Sequence, residues 1–294
     1  MSYDSITIST AMRRIGNSEL VLPAIQRDFV WSPDRIYRFL DSLMRGYPIG
    51  TLLFWNTKQR VQYREFTADH TDNLRYTFHI KEEGKRGTMV LDGQQRLQLL
   101  YLSLHGSLHG QQLHFNVLTG NDTEDASEAK YHFGFLSDKK AVERNAQHKG
   151  HQLWVPLTEI YQVMNIPQRV HLVEEYHAQA GLDRPSEASH RLIQNVEVAY
   201  SKLKAEQILS HYTIDPNYGE DLSPTPINEI LEIFVRINSG GQVLSKSDLM
   251  FSLLQLGWED AADSIDDLLD ELNDIGSFDF DKDFVLRCAL VCCG

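Results

Sequence analysis

Five consecutive residues, Asp92-Gly93-Gln94-Gln95-Arg96, combine a carboxylate, a glycine, two amides and a guanidinium. They stand between an apolar run, Met89-Val90-Leu91, and a helical pattern carried by Leu97, Leu100, Tyr101 and Leu104. That order predicts a buried strand turning directly into a helix. Such a turn gathers unpaired backbone N–H groups and the positive end of a helix dipole at one point, which suits an anion. Gly93 admits a ligand close to the backbone. Gln94 and Gln95 bring amide donors and acceptors, and the forked Arg96 suits phosphate. Asp92 and Gln95 also have the spacing of a capping box, which needs no ligand. That second reading accounts for two of the five residues and leaves Gly93, Gln94 and Arg96 without a reason.

Two further clusters have a similar character. In Pro23-Ala24-Ile25-Gln26-Arg27-Asp28-Phe29-Val30-Trp31, a Gln-Arg pair sits in a loop just ahead of a helix start. Phe29 and Trp31 serve as core anchors for that loop or as walls of a pocket. Arg27 serves a ligand or pairs with a nearby carboxylate. In Phe234-Val235-Arg236-Ile237-Asn238-Ser239-Gly240-Gly241-Gln242-Val243-Leu244-Ser245, a strand again runs into a polar glycine turn and then a helix. Successive N–H groups in such a turn form an anion-binding concavity. Equally, Asn238 and the glycines make the turn alone, with Ser245 capping the next helix.

The elements that must position these clusters follow from periodicity. Ile8, Met12 and Ile15, stopped by Gly16, predict a first helix, and Leu20-Val21-Leu22 a short strand ended by Pro23. Ser32-Pro33 starts a second helix whose buried stripe is Ile36, Phe39, Leu40 and Leu43, closed by Gly46. Thr51 to Trp55 reads as a strand. Residues 74–80 and 88–91 read as a hairpin turning near Glu83-Gly84-Lys85. Leu113 to Leu118 and Tyr131 to Leu136 read as two more strands flanking an exposed acidic loop, and Pro156 to His211 as helical. Ile227 to Ile237 reads as a short strand. Helices near 245–256, 259–273 and 281–293 finish the chain.

With 294 residues, 42% apolar and 23% charged, the chain has ample material for one large domain or two smaller ones. No apolar run reaches the length of a membrane span, and the N-terminus has no secretory pattern, so a cytoplasmic location is expected. The three cysteines, Cys288, Cys292 and Cys293, cluster at the end of the chain and make no disulfide framework. The net charge is −13, but residues 258–283 hold eleven acids against Lys282 alone. The first sixty residues carry eight Lys/Arg and five Asp/Glu, so that part can still face phosphates. His105 and His109, like Cys288 and Cys292, have helical spacing but no ligand set around them.

The three clusters, in this order, resemble the N-terminal module of GmrSD-type and SspE-like modification-dependent (type IV) restriction proteins. The resemblance extends from about Ile8 to Leu290. It implies an α+β fold in which a ParB/sulfiredoxin-like mixed sheet with helices, the nucleotide-binding core, occupies residues 1–155. A mainly helical region, 156–294, contributes the third cluster to the same site. The family module binds and hydrolyses nucleoside triphosphate, often GTP, with Mg²⁺ expected from the reaction type. It couples this to recognition of modified DNA, including phosphorothioate DNA, and to control of a nuclease domain further along the chain or on a partner. By that resemblance Asp92, Gln94, Gln95 and Arg96 are catalytic, and Gly93, Gln26, Arg27, Arg236, Asn238 and Gly241 hold the nucleotide. The chain departs from the family in two ways: Gln98-Leu99 stand where threonines usually follow Arg-Leu, and no His-Asn-His style nuclease cluster is found. Two functions are compatible with these residues. One is a nucleotide-dependent switch with NTPase activity acting in antiviral defence; the other is a non-catalytic sensor that grips a modified DNA backbone. Direct nuclease chemistry is disfavoured, since no carboxylate cluster for two metals is visible.

Overall fold

The computed structural model describes residues 3–23, 31–71, 74, 76–120 and 128–215. From the rest of the chain it describes 229–230, 232–233, 236, 261–274, 276, 279–281, 284–285 and 288–289. Gln26, Arg27, Asn238 and Gly241, and the helix read over 245–256, lie outside the described residues.

The chain opens with β1 (Asp4–Ile6) and α1 (Ile8–Gly16), whose N-terminus is capped by the Thr7 hydroxyl accepting from the Thr10 N–H. Ile8, Ala11, Met12 and Ile15 form its buried stripe. Next come β2 (Leu20–Pro23) and α2 (Pro33–Arg45). Proline opens α2 at its first turn and Gly46, left-handed at φ 76°, closes it. Strands β3 (Leu52–Thr57), β4 (Val61–Arg64), β5 (Asp69–His70), β6 (Phe78–Lys81) and β7 (Gly87–Asp92) lead into α3 (Gln94–His105). Then follow β8 (Ser107–Leu108), β9 (Gln112–Asn116), β10 (Phe133–Leu136), α4 (Asp138–Gln147) and β11 (Trp154–Pro156). Helices α5 (Leu157–Gln162), α6 (Ile166–Ala180) and α7 (Glu187–Tyr200) run into a single π turn and then β12 (Leu209–Ile214); α8 (Ala261–Asn273) lies near the end.

Seven strands form one mixed sheet in the order β1-β12-β3-β7-β2-β4-β6. A second, three-stranded antiparallel sheet has the order β10-β9-β11, and β5 pairs with β8. The fold is α+β with a mixed sheet, as expected. One face of the large sheet meets the main core, built from α1, α2, α3, α5, α6, α7 and the small sheet. On the other face Val21, Leu53, Trp55, Met89, Leu91 and Ile214 pack together with Ile230. Both faces of β3 and β7 are therefore covered, which is why these two strands are apolar at successive positions rather than alternating.

Four local expectations are corrected. Strands β6 and β7 are not a hairpin: β6 pairs antiparallel with β4, while β7 lies between β3 and β2. The stretch read as helical to His211 ends earlier, and Leu209–Ile214 is a strand parallel to β3. The described residues between 229 and 236 are helical rather than extended. Asp92 does not cap α3, as described below. Strand β12, from the second half of the chain, thus lies inside the sheet built by the first half.

Candidate functional site

Strand β7 and helix α3 meet at a single residue. Met89, Val90 and Leu91 are buried in the sheet, Asp92 ends the strand, and Gly93 is the N-cap of α3 at φ 84°. The left-handed backbone at position 93 favours glycine, and a Cβ there would stand 2.2 Å from Leu52 Cδ2 and push that methyl aside. Opposite this turn the register of β3 on β7 shifts: Leu53 faces Asp92 but Phe54 faces Val90, leaving Leu91 as the extra residue of a β-bulge. Bulges of this kind re-aim side chains at sheet rims.

The N-terminus of α3 has no side-chain cap. The Asp92 carboxylate turns instead to Arg96, whose Nη2 donates to Asp92 Oδ2 at 3.2 Å. Arg96 also donates from Nη1 to the Ile49 carbonyl at 2.7 Å and from Nη2 to the Thr51 carbonyl at 2.8 Å. Between those carbonyls lies Gly50, left-handed at φ 86°, where a Cβ would sit 2.2 Å from Arg96 Nη1. The guanidinium thus fits against a glycine and braces the segment entering β3. Burial pulls its pKa down from the ordinary value, and the Asp92 charge pushes the other way.

Gln94 and Gln95 are both buried. The Gln94 amide oxygen is buried and, among the described residues, accepts no hydrogen bond. Leaving such a group unpaired costs about 1–3 kcal/mol, and a bound water, an ion or a functional role is what normally offsets such a cost. Gln98, at the position where the resemblance leads to an expectation of threonine, has a structural role: its amide donates to the Thr67 carbonyl at 2.6 Å and accepts from the Thr67 N–H at 3.1 Å. It ties α3 to the segment between β4 and β5 as a strand neighbour would.

Asp92 opens onto a cleft of about 400 Å³ lined also by Tyr3, Thr51, Leu52, Leu53, Tyr212, Ile214 and Ile233. The Asp92 side chain is 37% exposed there, and the Tyr3 and Tyr212 ring centroids are 5.7 Å apart. Ile233 comes from the helical residues that precede the third cluster. Arg236, three residues on, is exposed and pairs with Glu232 at 2.7 Å. The first cluster is approached from another side. Strand β2 runs parallel to β7, with Leu20 opposite Thr88 and Val21 opposite Met89, so Pro23 ends beside the end of β7. Trp31, the last residue of that cluster, packs edge-on against Phe39 and under the Arg35 guanidinium. Of the ten expected site residues, Asp92, Gly93, Gln94, Gln95 and Arg96 are contiguous at this turn, and Arg236 follows an element that lines the cleft.

Sequence reading missed Gly50, Thr51, Tyr3, Tyr212 and Ile233. Gly50 carried a usable signal, a glycine directly before an apolar strand. The others carried none, because their proximity is created by strand order. Among the described residues no group of three or more His, Cys, Asp or Glu is arranged to hold a metal ion. No helix among them is long and apolar enough to cross a membrane.

Comparison with known proteins bears on the family alone. The family model of the GmrSD restriction endonuclease N-terminal domain matches residues 8–255. The chain belongs to that family. An uncharacterized protein of Methanocaldococcus jannaschii is 26% identical over 106 residues, 36% of this chain and 18% of that protein. The chain therefore matches less than a fifth of that relative's length.

Proposed function

We propose that this chain is the nucleotide-responsive regulatory module of a modification-dependent restriction protein, binding a nucleoside triphosphate at the Asp92–Arg96 turn and passing its state to a nuclease domain. The observation that carries the reading is the junction of β7 and α3. It combines a left-handed glycine, an uncapped helix N-terminus, a buried amide oxygen without a partner among the described residues, and a carboxylate opening into a cleft. Helix N-termini of this kind favour anions. Magnesium would arrive with the triphosphate, held mainly by phosphate oxygens and water, as is usual where few carboxylates are supplied. Arg96 has a different role in this reading than its sequence suggested. Committed to two carbonyls and Asp92, it sets the shape of the site instead of meeting phosphate.

That commitment also favours a second reading, a non-catalytic sensor of modified DNA, since hydrolysis needs charge stabilisation that Arg96 does not offer in this arrangement. Phosphate release separates the two. The purified chain is incubated with GTP or ATP and Mg²⁺, with and without phosphorothioate DNA. Turnover supports the switch. Binding of DNA without turnover under any condition supports the sensor. Failure to bind nucleotide or DNA sinks both.

A further inference from the structure

Residues 46–51 connect α2 to β3 without regular structure. Two left-handed glycines bound most of the segment, Gly46 at φ 76° and Gly50 at φ 86°. At its start, the Gly46 and Tyr47 N–H groups close α2 on the Leu43 and Ser42 carbonyls. From Pro48 to Thr51 the backbone is held by the two hydrogen bonds from Arg96 to the Ile49 and Thr51 carbonyls, and it makes no other backbone hydrogen bond to a described residue. One guanidinium therefore fastens the stretch ahead of β3. The same guanidinium overlies the turn at which the triphosphate is proposed to bind, since a Cβ at Gly93 would stand 3.1 Å from Arg96 Nη2. It fits as tightly against Gly50, where a Cβ would overlap Nη1. A phosphate oxygen meeting Gly93 thus arrives beside a cation whose partners are two neutral carbonyls and one partly exposed carboxylate.

We propose that Arg96 is a latch with two positions. Bonded to Ile49 and Thr51 it holds the segment 46–51 shut; drawn to a triphosphate at Gly93 it lets that segment swing between its two glycines. The inference rests on the nucleotide reading above and adds how the bound state leaves the site. A ligand shifts such an equilibrium only by binding one arrangement better than the other. Phosphate meets that condition, because it carries full negative charge and accepts the guanidinium fork in bidentate fashion, which a backbone carbonyl does not. The carbonyls given up lie in a loop whose Gly50 and Thr51 are exposed, so water takes over from the departing donor. The released segment carries Tyr47, 51% exposed, and Ile49, which packs against the main core. Its movement takes Ile49 off that core and gives a partner domain a changed apolar surface at the end of α2.

Limited digestion of the full chain by proteinase K, with cut sites located by mass spectrometry, reads the segment, and calorimetry with ATP and GTP in Mg²⁺ reads binding. In the wild type, cutting between Gly46 and Leu52 should be slow and should rise about 10-fold at saturating nucleotide, as the open population grows. Gly50→Ala pushes Nη1 off the Ile49 carbonyl and leaves Arg96 present. This variant should be cut without nucleotide. It should also bind nucleotide about 10-fold more tightly, since the bond that phosphate has to displace is already gone. Arg96→Lys keeps the charge but loses the fork that spans two carbonyls. It adds no bulk beside Gly50 and should likewise be cut without nucleotide, which keeps the test open where Gly50→Ala fails to fold. Nucleotide binding that leaves wild-type cutting unchanged or slows it, or a segment that stays protected in both variants, overturns the latch and leaves the nucleotide reading standing. Affinity in folded Gly50→Ala no tighter than wild type does the same. Absence of nucleotide binding by the wild type overturns both.

Discussion

Replacing Gly50 and Arg96 singly and together tests the brace at the heart of the site. Arg96→Ala removes donors at 2.7 and 2.8 Å from two carbonyls and a 3.2 Å contact with Asp92. Hydrogen bonds to charged groups contribute about 1.5–3 kcal/mol each. Water can reach part of the vacated site, because the Arg96 side chain is 17% and Asp92 37% exposed, so a net loss of about 2–4 kcal/mol is expected after discounting for solvent. Gly50→Ala introduces left-handed strain of about 1–2 kcal/mol. Its Cβ would also sit 2.2 Å from Arg96 Nη1. The end of the guanidinium must move, forfeiting the bond to the Ile49 carbonyl, for a total of about 3 kcal/mol. In the double variant the Cβ meets no guanidinium, so only the strain adds to the Arg96 loss. The two changes should therefore fall short of additivity by about 1–2 kcal/mol. Urea unfolding of the four proteins reads this from the midpoints, provided that the slope is common to all. Additivity within about 0.5 kcal/mol would refute the packing argument. An Arg96→Ala midpoint equal to wild type, with nucleotide binding abolished, would make Arg96 a ligand contact instead of a brace.

Gln98→Met keeps the side-chain volume but strands the Thr67 N–H and carbonyl; a loss of about 1–3 kcal/mol is expected in the same unfolding assay. Arg236→Ala removes an exposed i,i+4 pair with Glu232, a pair that by itself is worth less than about 0.5 kcal/mol. If the proposed site extends to the third cluster, nucleotide or DNA binding should nonetheless weaken. Burial lowers the pKa values of His114 and His211 below the ordinary 6.5. Each takes up a proton more readily when unfolded. Their contribution to stability is therefore present above pH 6.5 and is lost as pH falls through the lowered folded values. Urea midpoints should fall between pH 7.5 and 5.5, and a flat profile, or a rise, would contradict this.

The strand-to-helix turn at Asp92-Gly93 was legible because its signals are local: an apolar run, a glycine at the corner, and helical spacing beyond it. The first two helices were readable for the same reason, as Gly16, Ser32-Pro33 and Gly46 mark where a helical backbone starts and stops. Strand pairing was not readable in this way. The turn near Gly84 looked sufficient to pair its flanks, yet β6 joins β4, and β7 is claimed by β3 and β2. Partners in a sheet are chosen by burial on both faces, which depends on elements far away in the chain. Tyr212 and Ile214 illustrate the same limit: six residues of strand behind a long helical region carried too little alternation to announce themselves. Arg96 shows it most sharply. Its chemistry pointed to an anion, and only the approach of the Ile49–Thr51 segment, glycine at its centre, committed the guanidinium to carbonyls. Residue types set which interactions each group is able to make; packing decided which partner arrived first.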